Sequence, residues 1–485
     1  MEKYDAVIIG SGPNGLAAAI EMARHELKVL VLEMADEIGG GTRTTELTLP
    51  GFKHDFCSAV HPTGILSPYL KELPLEQHGL KWLYPELSVA HPLDDEPAVL
   101  LGKNLEETAA GLGKDAAYWK SLYGYLSKNG EGILRDSFKA LGIPQHPISL
   151  ARFGLNAFLP ANTYAKLVLK EKRSRALFAG CAAHSLLPFD FLFSSALGIM
   201  FAMTAHMVDW PVAEGGSHSI SKAMVSYFKE LGGEIRTGTK IENWKELPPA
   251  KAYLFNTDPY QLADIAEDHL PKGYVKRLRK YNFGMGSFKL DWALDGPIPW
   301  KDPNCLKAST VHIGGTLEEI AYGEKMAWQG KHVDKPYVLL CQQSQIDPSR
   351  APQGKHTGYA YMHVPQGSDK DCTEIIENQV ERFAPGFKDI ILARHKTFAS
   401  DFYQYNPNYF GGAIAGGAAN ISQLFTRPVA RTNPYSTPNS SIYICSASTP
   451  PGGGVHGMCG YWAARSALKK QFNTKTKHIW DHSKE

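Results

Sequence analysis

The residues with the clearest chemical potential are three glycines and one acid near the start of the chain. Gly10, Gly12 and Gly15 have the spacing GxGxxG. The acid, Glu33, follows about twenty residues later, the distance expected for a residue that binds a ribose. Such glycines permit a tight turn, close approach of a diphosphate to the backbone, and close packing of a helix on a strand. The pattern predicts a dinucleotide-binding site in which Glu33 accepts hydrogen bonds from both ribose hydroxyls.

The neighbouring segments supply the strands and the helix that such a site needs. An apolar strand is expected over residues 4–9, a helix over 16–27, and a second strand over 28–32 that ends at the acid. Strand, glycine turn, helix, strand and acid in this order form a complete βαβ unit, which is far more specific than GxGxxG alone. Pro13 and Asn14 lie in the turn and are included among the predicted cofactor-binding residues.

A second glycine cluster indicates which dinucleotide is bound. Gly39, Gly40 and Gly41 follow the acid closely, and Arg43 comes just after them. This loop would give the phosphates a second close backbone contact, and Arg43 would add a fixed positive charge. Nicotinamide dehydrogenases do not need such a loop, whereas large flavoproteins do. We therefore predict FAD, with a flexible turn as the alternative interpretation of the loop.

Length and composition exclude several other classes of protein. A chain of 485 residues with 43% hydrophobic and 21% charged residues is expected to form two or three folded units. Its net charge of +2 predicts no general attraction to nucleic acid. The seven cysteines are scattered and lack CxxC spacing, so we expect neither a disulfide framework nor a metal site. The first residues do not resemble a secretory signal, and we expect a cytoplasmic protein.

Later segments predict two discontinuous units. A helix over 220–231 and strands over 234–236 and 252–255 fit the first sheet, whereas alternating strands such as 283–294 and 358–364 fit a second, antiparallel sheet. The predicted fold class is α/β, with a Rossmann-type FAD-binding domain and a substrate domain of helices and an antiparallel or mixed sheet. The FAD-binding domain is expected over residues 1–75, 209–275 and 420–485, and the substrate domain over 76–208 and 276–419.

Two further segments bear on the site. The apolar run 189–208 approaches the length of a membrane span, but Asp190, His206 and many small residues favour a buried helix that lines an apolar cavity. Near the C-terminus, a strand over 441–445 leads into a third glycine loop and a helix over 459–472. We assign this loop to the same cofactor, as a backbone pad near the flavin ring and the pyrophosphate. Its predicted contacts are Gly453, Gly454 and Val455.

Together these motifs resemble the phytoene-desaturase-like flavoproteins, and within them the branch called pyridine nucleotide-disulfide oxidoreductase domain-containing proteins. Segments such as 55–62, 381–387 and 406–428 support the branch, and the match spans nearly the whole chain. The resemblance implies a two-domain architecture of the amine-oxidase and carotenoid-desaturase type, with the flavin ring at the domain boundary. It also implies that Ile241 offers backbone groups to the adenine. Residues 446–449 lack the acid that many relatives carry near the flavin.

The expected chemistry is hydride transfer between a C–H bond and the flavin, in either direction, or a redox-neutral isomerisation on reduced flavin. The apolar run favours an isoprenoid or polyene substrate. His456, in the third glycine loop, and His61 are the candidates for a general base or polarising group, with a structural histidine as the alternative for each. Tyr409 and His363 are weaker candidates.

The sequence leaves open a contact with a membrane surface and two alternative functions. The basic segment 164–175 is either an amphipathic helix that contacts a membrane surface or an ordinary solvated helix face. One alternative function is a flavin amine oxidase, for which Tyr405, Tyr409 and Phe410 could form an aromatic cage. The other is a prenyl- or lipid-binding protein of the same fold that does not use flavin. The exact substrate, the electron acceptor and the oligomeric state are not specified by the sequence.

Overall fold

The computed structural model describes residues 3–474, 477, 478 and 480. In that part of the chain the strands are, in order, β1 (Tyr4–Ile9), β2 (Val29–Leu32), β3 (Thr44–Thr45), β4 (His54–Asp55), β5 (Trp82–Leu83), β6 (Leu87–His91), β7 (Val99–Leu101), β8 (Val212–Ala213), β9 (Glu234–Arg236), β10 (Ala250–Phe255), β11 (Gly286–Leu294), β12 (Ala308–Ile313), β13 (Val338–Cys341), β14 (His356–Val364), β15 (Ile391–Thr397) and β16 (Ile442–Ile444).

The α-helices of the same part are α1 (Pro13–Ala23), α2 (Pro62–Ile65), α3 (Leu105–Ala110), α4 (Ala116–Lys128), α5 (Gly130–Ser137), α6 (Pro147–Ala157), α7 (Ala161–Val168), α8 (Lys172–Ala183), α9 (Ser194–Val208), α10 (His218–Glu230), α11 (Pro259–Ile265), α12 (Lys272–Leu278), α13 (Leu317–Trp328), α14 (Gln343–Ile346), α15 (Thr373–Phe383), α16 (Phe402–Tyr405), α17 (Ile421–Leu424) and α18 (Met458–Gln471).

The first sheet is parallel and has the strand order β16-β10-β1-β2-β9. Its central strands are almost continuously apolar because helices cover both faces. Ala6 and Ile8 of β1 pack with α1 and α18, whereas Val7 and Ile9 pack with α11 and α12. This confirms the predicted Rossmann-type layer, with the glycine turn at the carboxyl end of its central strand.

The sheet also confirms that this layer is discontinuous in sequence. Its strands come from the start of the chain, from residues 234–255 and from residues 442–444. The domain boundaries given above stay predictions. Within the predicted FAD-binding domain, residues 1, 2, 475, 476, 479 and 481–485 lie outside the described residues.

The second sheet is mixed and has the strand order β15-β11-β14-β13-β12-β6-β7. All neighbouring strands are antiparallel except β12 and β6, which run parallel. Alternate residues of β14 face opposite sides: Ala360 and Met362 pack toward α15, whereas Tyr359 and Tyr361 pack toward the helical layer. The second sheet therefore turns one face to α15 and the other to the helices that surround the cavity.

The helical layer corrects two details of the sequence analysis. The apolar run forms α9 only from Ser194, because residues 189–193 make turns before it, and α9 packs on α4, α6 and α8 as the predicted buried helix. The basic segment 164–175 is not one helix, since α7 ends at Val168 and α8 begins at Lys172. Among the described residues, no helix is long and apolar enough to cross a bilayer.

Candidate functional site

One cavity of about 1420 Å³ runs from the first glycine turn to the helical layer. A pocket for a single drug-sized ligand usually measures about 300–1,000 Å³, so this space exceeds the needs of one such molecule. Gly10, Glu33 and Gly454 line one part of it, and α6 and α9 line another. The cavity therefore joins the predicted dinucleotide site to an apolar compartment.

The first glycine turn has the geometry that its sequence predicts. Gly10 adopts a φ of +98°, which favours glycine. A Cβ on Gly15 would lie 2.0 Å from the carbonyl oxygen of Gly10, so only glycine permits the helix to start here. Gly12 caps α1 without any side-chain hydrogen bond, and Pro13 and Asn14 line the cavity beside it. The N-terminus of α1 thus faces the cavity with the positive end of its helix dipole, which suits an anionic diphosphate.

Glu33 is buried and holds the turn in place. Its carboxylate accepts from the Ser11 N–H at 2.8 Å, from the Ser11 hydroxyl at 2.6 Å and from the Ala35 N–H at 3.0 Å. Because a carboxylate offers about four lone-pair positions, it can still accept a further hydrogen bond from the cavity. Glu33 therefore has a structural role that leaves room for the predicted ribose contact.

The second glycine loop lies directly on the first. A Cβ on Gly40 would lie 3.1 Å from the Cα of Gly12. Arg43 donates from Nε to the Gly40 carbonyl at 3.1 Å, and its guanidinium stacks on the Tyr405 ring at 4.3 Å. Arg43 also lines the cavity, so the structure brings the predicted positive charge to the predicted phosphate contacts.

The third glycine loop closes the same space from the C-terminal end of the chain. Gly454 has a φ of +128°, and a Cβ on Gly453 would lie 2.7 Å from the Ala415 carbonyl oxygen. Both residues and Val455 line the cavity. Ile241 lines it as well, two residues after Thr239, whose N–H donates to the Glu33 carbonyl at 2.8 Å; its contact with the adenine stays a prediction.

His456 lines the cavity, and its hydrogen bond and its burial limit the chemical roles that its ring can have. Its Nδ1 accepts from the Met458 N–H at 3.0 Å, at the start of α18. Burial lowers the pKa of His456 to about 4, so the ring is neutral near pH 7. A neutral imidazole that accepts at Nδ1 carries its proton at Nε2. The geometry therefore fits a hydrogen-bond donor or polarising group and not a general base.

His61 is not brought to the cavity. Its Nε2 lies 2.8 Å from the Ser217 hydroxyl, and that hydroxyl donates to the Ser58 carbonyl at 2.6 Å. His61 therefore donates to Ser217, and burial lowers its pKa to about 4. These contacts correspond to the structural alternative stated for this residue.

The remaining candidates for catalysis or for an aromatic cage lie in different parts of the structure. Tyr409 lines the cavity, but Phe410 packs on Tyr260 and Phe283 outside it, and Tyr405 stacks on Phe56. These aromatics therefore do not form a common cage. Instead Tyr359 and Tyr361 of β14 line the cavity. His363 is buried, and its Nδ1 lies 2.8 Å from the Glu324 carboxylate.

Two cavity residues were not singled out in the sequence analysis. Asn256 follows β10, and with its amide oxygen turned toward the first loop it accepts from the N–H of Gly12 and Gly15 at 3.3 Å each. Its position at the carboxyl end of a parallel strand is a usable sequence signal. Arg427 is buried and donates to the Gly416 and Ala447 carbonyls at 3.1 and 2.8 Å. It brings a positive charge to the loop that lacks an acid, and no local pattern marks it.

The apolar compartment is lined by side chains of α6 and α9. They are Leu150, Phe153, Ala157, Leu197, Met200 and Phe201. Phe193 also lines the cavity, and its ring makes edge contacts with Phe158 and Phe425 at 5.1 and 5.4 Å. Within residues 3–474, 477, 478 and 480, no group of three or more His, Cys, Asp or Glu side chains is placed to hold a metal ion.

A parallel dinucleotide-binding sheet, three converging glycine loops and an adjoining mixed sheet define an oxidoreductase fold of two units. Comparison with known proteins agrees with this class. Residues 8–73 match the model of the NAD(P)-binding Rossmann-like domain family. The chain is 26% identical to the pyridine nucleotide-disulfide oxidoreductase domain-containing protein 2 of Mus musculus, over 96% of this chain and 94% of the relative. It is 24% identical to a lycopene-forming phytoene desaturase of Pseudescherichia vulneris, over 95% and 98% of the two chains.

Solved structures show the same fold. An oxidoreductase from Methanosarcina mazei superposes with a TM-score of 0.65 at 17% identity, over 97% of this chain and 100% of that one. A putrescine oxidase variant gives a TM-score of 0.62 at 14% identity, over 96% and 98%. The comparisons confirm the resemblance to phytoene-desaturase-like proteins, the predicted α/β fold and the oxidoreductase class.

Proposed function

We propose that the chain is an FAD-dependent oxidoreductase that moves a hydride between a C–H bond of an apolar, isoprenoid- or polyene-like substrate and the flavin N5. The observation that carries the proposal is the continuity of one cavity from the glycine loops to the compartment under α6 and α9. A dinucleotide and an apolar molecule could therefore occupy adjoining parts of the same space. Bound FAD would supply the hydride chemistry.

The residues present fit this cofactor. The N-terminus of α1 offers a positive helix end to the pyrophosphate, and Arg43 adds a cation. Glu33 retains capacity for a ribose hydroxyl, and the Gly40 and Gly454 loops permit close backbone contact. A protein that binds only a lipid would have no use for these groups, which disfavours the flavin-free alternative.

The protein's part in the chemistry is to orient the substrate, exclude water and provide a polar contact. The side chains of α6 and α9 would align an apolar chain by packing alone. His456 would donate from Nε2 to whatever polar atom lies beside the third glycine loop, because its Nδ1 is already occupied by the Met458 N–H. In this proposal His456 is the polarising group, and His61 has only a structural role.

A flavin amine oxidase remains the second candidate, since the putrescine oxidase variant shares the fold. An amine substrate would favour an acid free to pair with it. Asp136 lines the cavity, but its carboxylate accepts from the Lys139 ammonium at 2.9 Å and from the N–H groups of Gln145 and His146. Because these donors already occupy the Asp136 carboxylate, an apolar substrate is favoured over an amine.

Access from a lipid surface is part of the proposal. Lys166, Lys170 and Lys172 are exposed, whereas Arg173 and Arg175 donate to backbone carbonyls. The outer face of α6 is also exposed and largely apolar, with Ile148 and Leu155 at 78% and 76%. Since the inner face of α6 lines the cavity, this helix would let an apolar substrate pass from an anionic lipid surface to the compartment.

Anaerobic reduction of the FAD-loaded protein tests the proposal. Isoprenoid hydrocarbons and alcohols, primary amines and NAD(P)H are compared by the bleaching of the flavin bands. We expect bleaching by an isoprenoid, slowed in His456→Asn, which keeps an acceptor for the Met458 N–H but lacks the outward donor. The matched variant His61→Gln should react like the wild type. Bleaching by amines alone, with peroxide release in air, would favour the second candidate.

A further inference from the structure

His184 is a polar residue in the wall of the apolar compartment. It follows α8 directly and lines the cavity between the rings of Phe201 and Trp210, whose centroids lie 4.7 and 5.6 Å from its own. Its Nε2 lies 2.9 Å from Nε2 of His312 on β12. Its Nδ1 makes no hydrogen bond within residues 3–474, 477, 478 and 480, and the side chain is only partly buried. The cavity therefore contains an imidazole with one nitrogen bound to the protein and one available.

A third histidine extends this pair into the second sheet. His91, at the end of β6, lies one residue beyond the register pair of Ala90 and Val311, and His312 lies one residue beyond it on β12. Nε2 of His91 lies 2.8 Å from the Gly315 carbonyl oxygen. The Nδ1 atoms of His91 and His312 are both buried without a partner. Both face Gly180, where an added Cβ would lie 2.9 and 2.7 Å from them.

All three rings are neutral near pH 7. Burial lowers the pKa of His184 to about 3 and that of His91 to about 4, and it holds the pKa of His312 well below its ordinary range. A neutral imidazole has one N–H group and one lone pair. The hydrogen bond of His91 to Gly315 and the one between His184 and His312 therefore limit which nitrogen of each ring can carry the proton.

The proton positions in the three histidines follow from the hydrogen bond of His91 to Gly315. A carbonyl oxygen can only accept, so His91 donates from Nε2 to Gly315 and keeps a lone pair at Nδ1. The Nδ1 atoms of His91 and His312 make no hydrogen bond to each other, but two lone pairs so near in a buried site would repel, which favours a proton at Nδ1 of His312. Nε2 of His312 then accepts from His184, whose own proton is at Nε2. The lone pair at Nδ1 of His184 is left for the cavity.

We propose that His184 is a specificity-determining residue that accepts a hydrogen bond from a hydroxyl group on an otherwise apolar substrate. This inference rests on the proposed function and narrows its substrate class from isoprenoids in general to those that carry a hydroxyl. Nδ1 of His184 faces the cavity beside the Phe201 and Trp210 rings, so a ligand with a hydroxyl donor can pair with it and a ligand without a donor cannot. His312 and His91 are positioning residues, because they set the tautomer of His184 without lining the cavity themselves.

The test uses three probes that share a farnesyl-type chain and differ at its end: farnesol, farnesyl methyl ether and farnesene. Their dissociation constants from the FAD-loaded protein are measured by the change in tryptophan fluorescence. We expect farnesol to bind about fivefold to tenfold more tightly than the ether, which keeps the oxygen but has no donor. In His184→Leu this ratio should fall to about one, while the affinity for farnesene changes little.

Matched variants separate recognition from a general disturbance of the cavity. His184→Asn restores an acceptor close to the position of Nδ1 and should recover most of the preference. Tyr361→Phe removes another hydroxyl that lines the cavity and should keep it. His312→Phe removes the acceptor for His184 and should weaken the preference without removing it.

Equal binding of the alcohol and the ether by the wild type would overturn the inference, as would a preference that survives in His184→Leu. If the protein binds FAD and all three probes without preference, the inference fails and the proposed function stands. If none of the probes binds to the FAD-loaded protein, the proposed function fails and the inference with it.

Discussion

A Cβ on Gly460 would lie 1.7 Å from the carbonyl oxygen of Asn14. Asn14 is in the first turn of α1 and Gly460 in the first turn of α18, so the two ends of the chain meet backbone to backbone beside the first glycine turn. This contact sets the third glycine loop against the first. The site therefore depends on close packing between segments that are far apart in sequence.

Substitution of Gly460 tests this packing. Gly460→Ala should lower the free energy of unfolding by about 3 kcal/mol, because the methyl group meets backbone that cannot move aside. The urea midpoint gives the measurement. Gly273→Ala in α12 is the control, since no heavy atom lies within 4 Å of its added Cβ, and it should be neutral or stabilising by up to about 1 kcal/mol. Equal midpoints for the two variants would contradict the contact.

Glu33 should be essential for cofactor affinity. Glu33→Gln removes the charge and places an amide against the Ser11 or Ala35 donors, so we expect FAD affinity to fall about tenfold to a hundredfold. Fluorescence titration of FAD measures the change. The control is Glu37→Gln, the same change at an exposed neighbour. An unchanged dissociation constant for Glu33→Gln would remove this residue from the site.

Buried neutral histidines should make the protein sensitive to acid. Burial lowers the pKa of His61 from 6.5 to about 4, so the unfolded chain binds a proton first as the pH falls. The contribution of the neutral His61 ring to the free energy of unfolding is complete above pH 6.5 and is lost as the pH falls from 6.5 to 4. In His61→Gln the loss of unfolding free energy from pH 7 to pH 5 should be smaller by about 2 kcal/mol than in the wild type. Urea titrations at both pH values measure it, and an unchanged pH dependence would show that His61 is not buried in its neutral form.

Contact with a lipid surface should depend on the outer face of α6. Flotation with vesicles of phosphatidylcholine and phosphatidylglycerol measures it, and Leu155→Asp should reduce binding about tenfold. The double variant Lys166→Gln and Lys170→Gln should weaken binding in a salt-dependent manner. Tyr322→Asp alters an exposed aromatic residue on α13, outside this face, and should have no effect. Wild-type protein that remains below the vesicles would refute lipid contact.

Much of the fold followed from local sequence. The βαβ unit, the discontinuous parallel sheet and the alternating strands of the second sheet were predicted because strand and helix periods and glycine turns are local signals. The apolar run predicts a helix from Phe189, whereas α9 begins at Ser194, because residues 189–193 are mostly apolar but form turns. The closely spaced charges of the basic segment predict one helix, but residues 169–171 interrupt it.

The site was less accessible to sequence reasoning. Glycine loops and Glu33 carry their own signal, whereas Arg427 and His184 reach the cavity only through long-range packing. His61 and His456 have equivalent side chains, and only their partners distinguish them. The hydroxyl of Ser217 binds His61 away from the cavity, whereas His456 lines the cavity and accepts from the Met458 N–H at Nδ1.

The most direct test of the central claim is a titration of the apoprotein with FAD, followed by the visible flavin spectrum, with NAD and NADP as competitors. We expect one FAD per chain and no displacement by either nicotinamide dinucleotide. Folded protein that takes up no FAD, or that binds NAD or NADP in its place, would contradict the account.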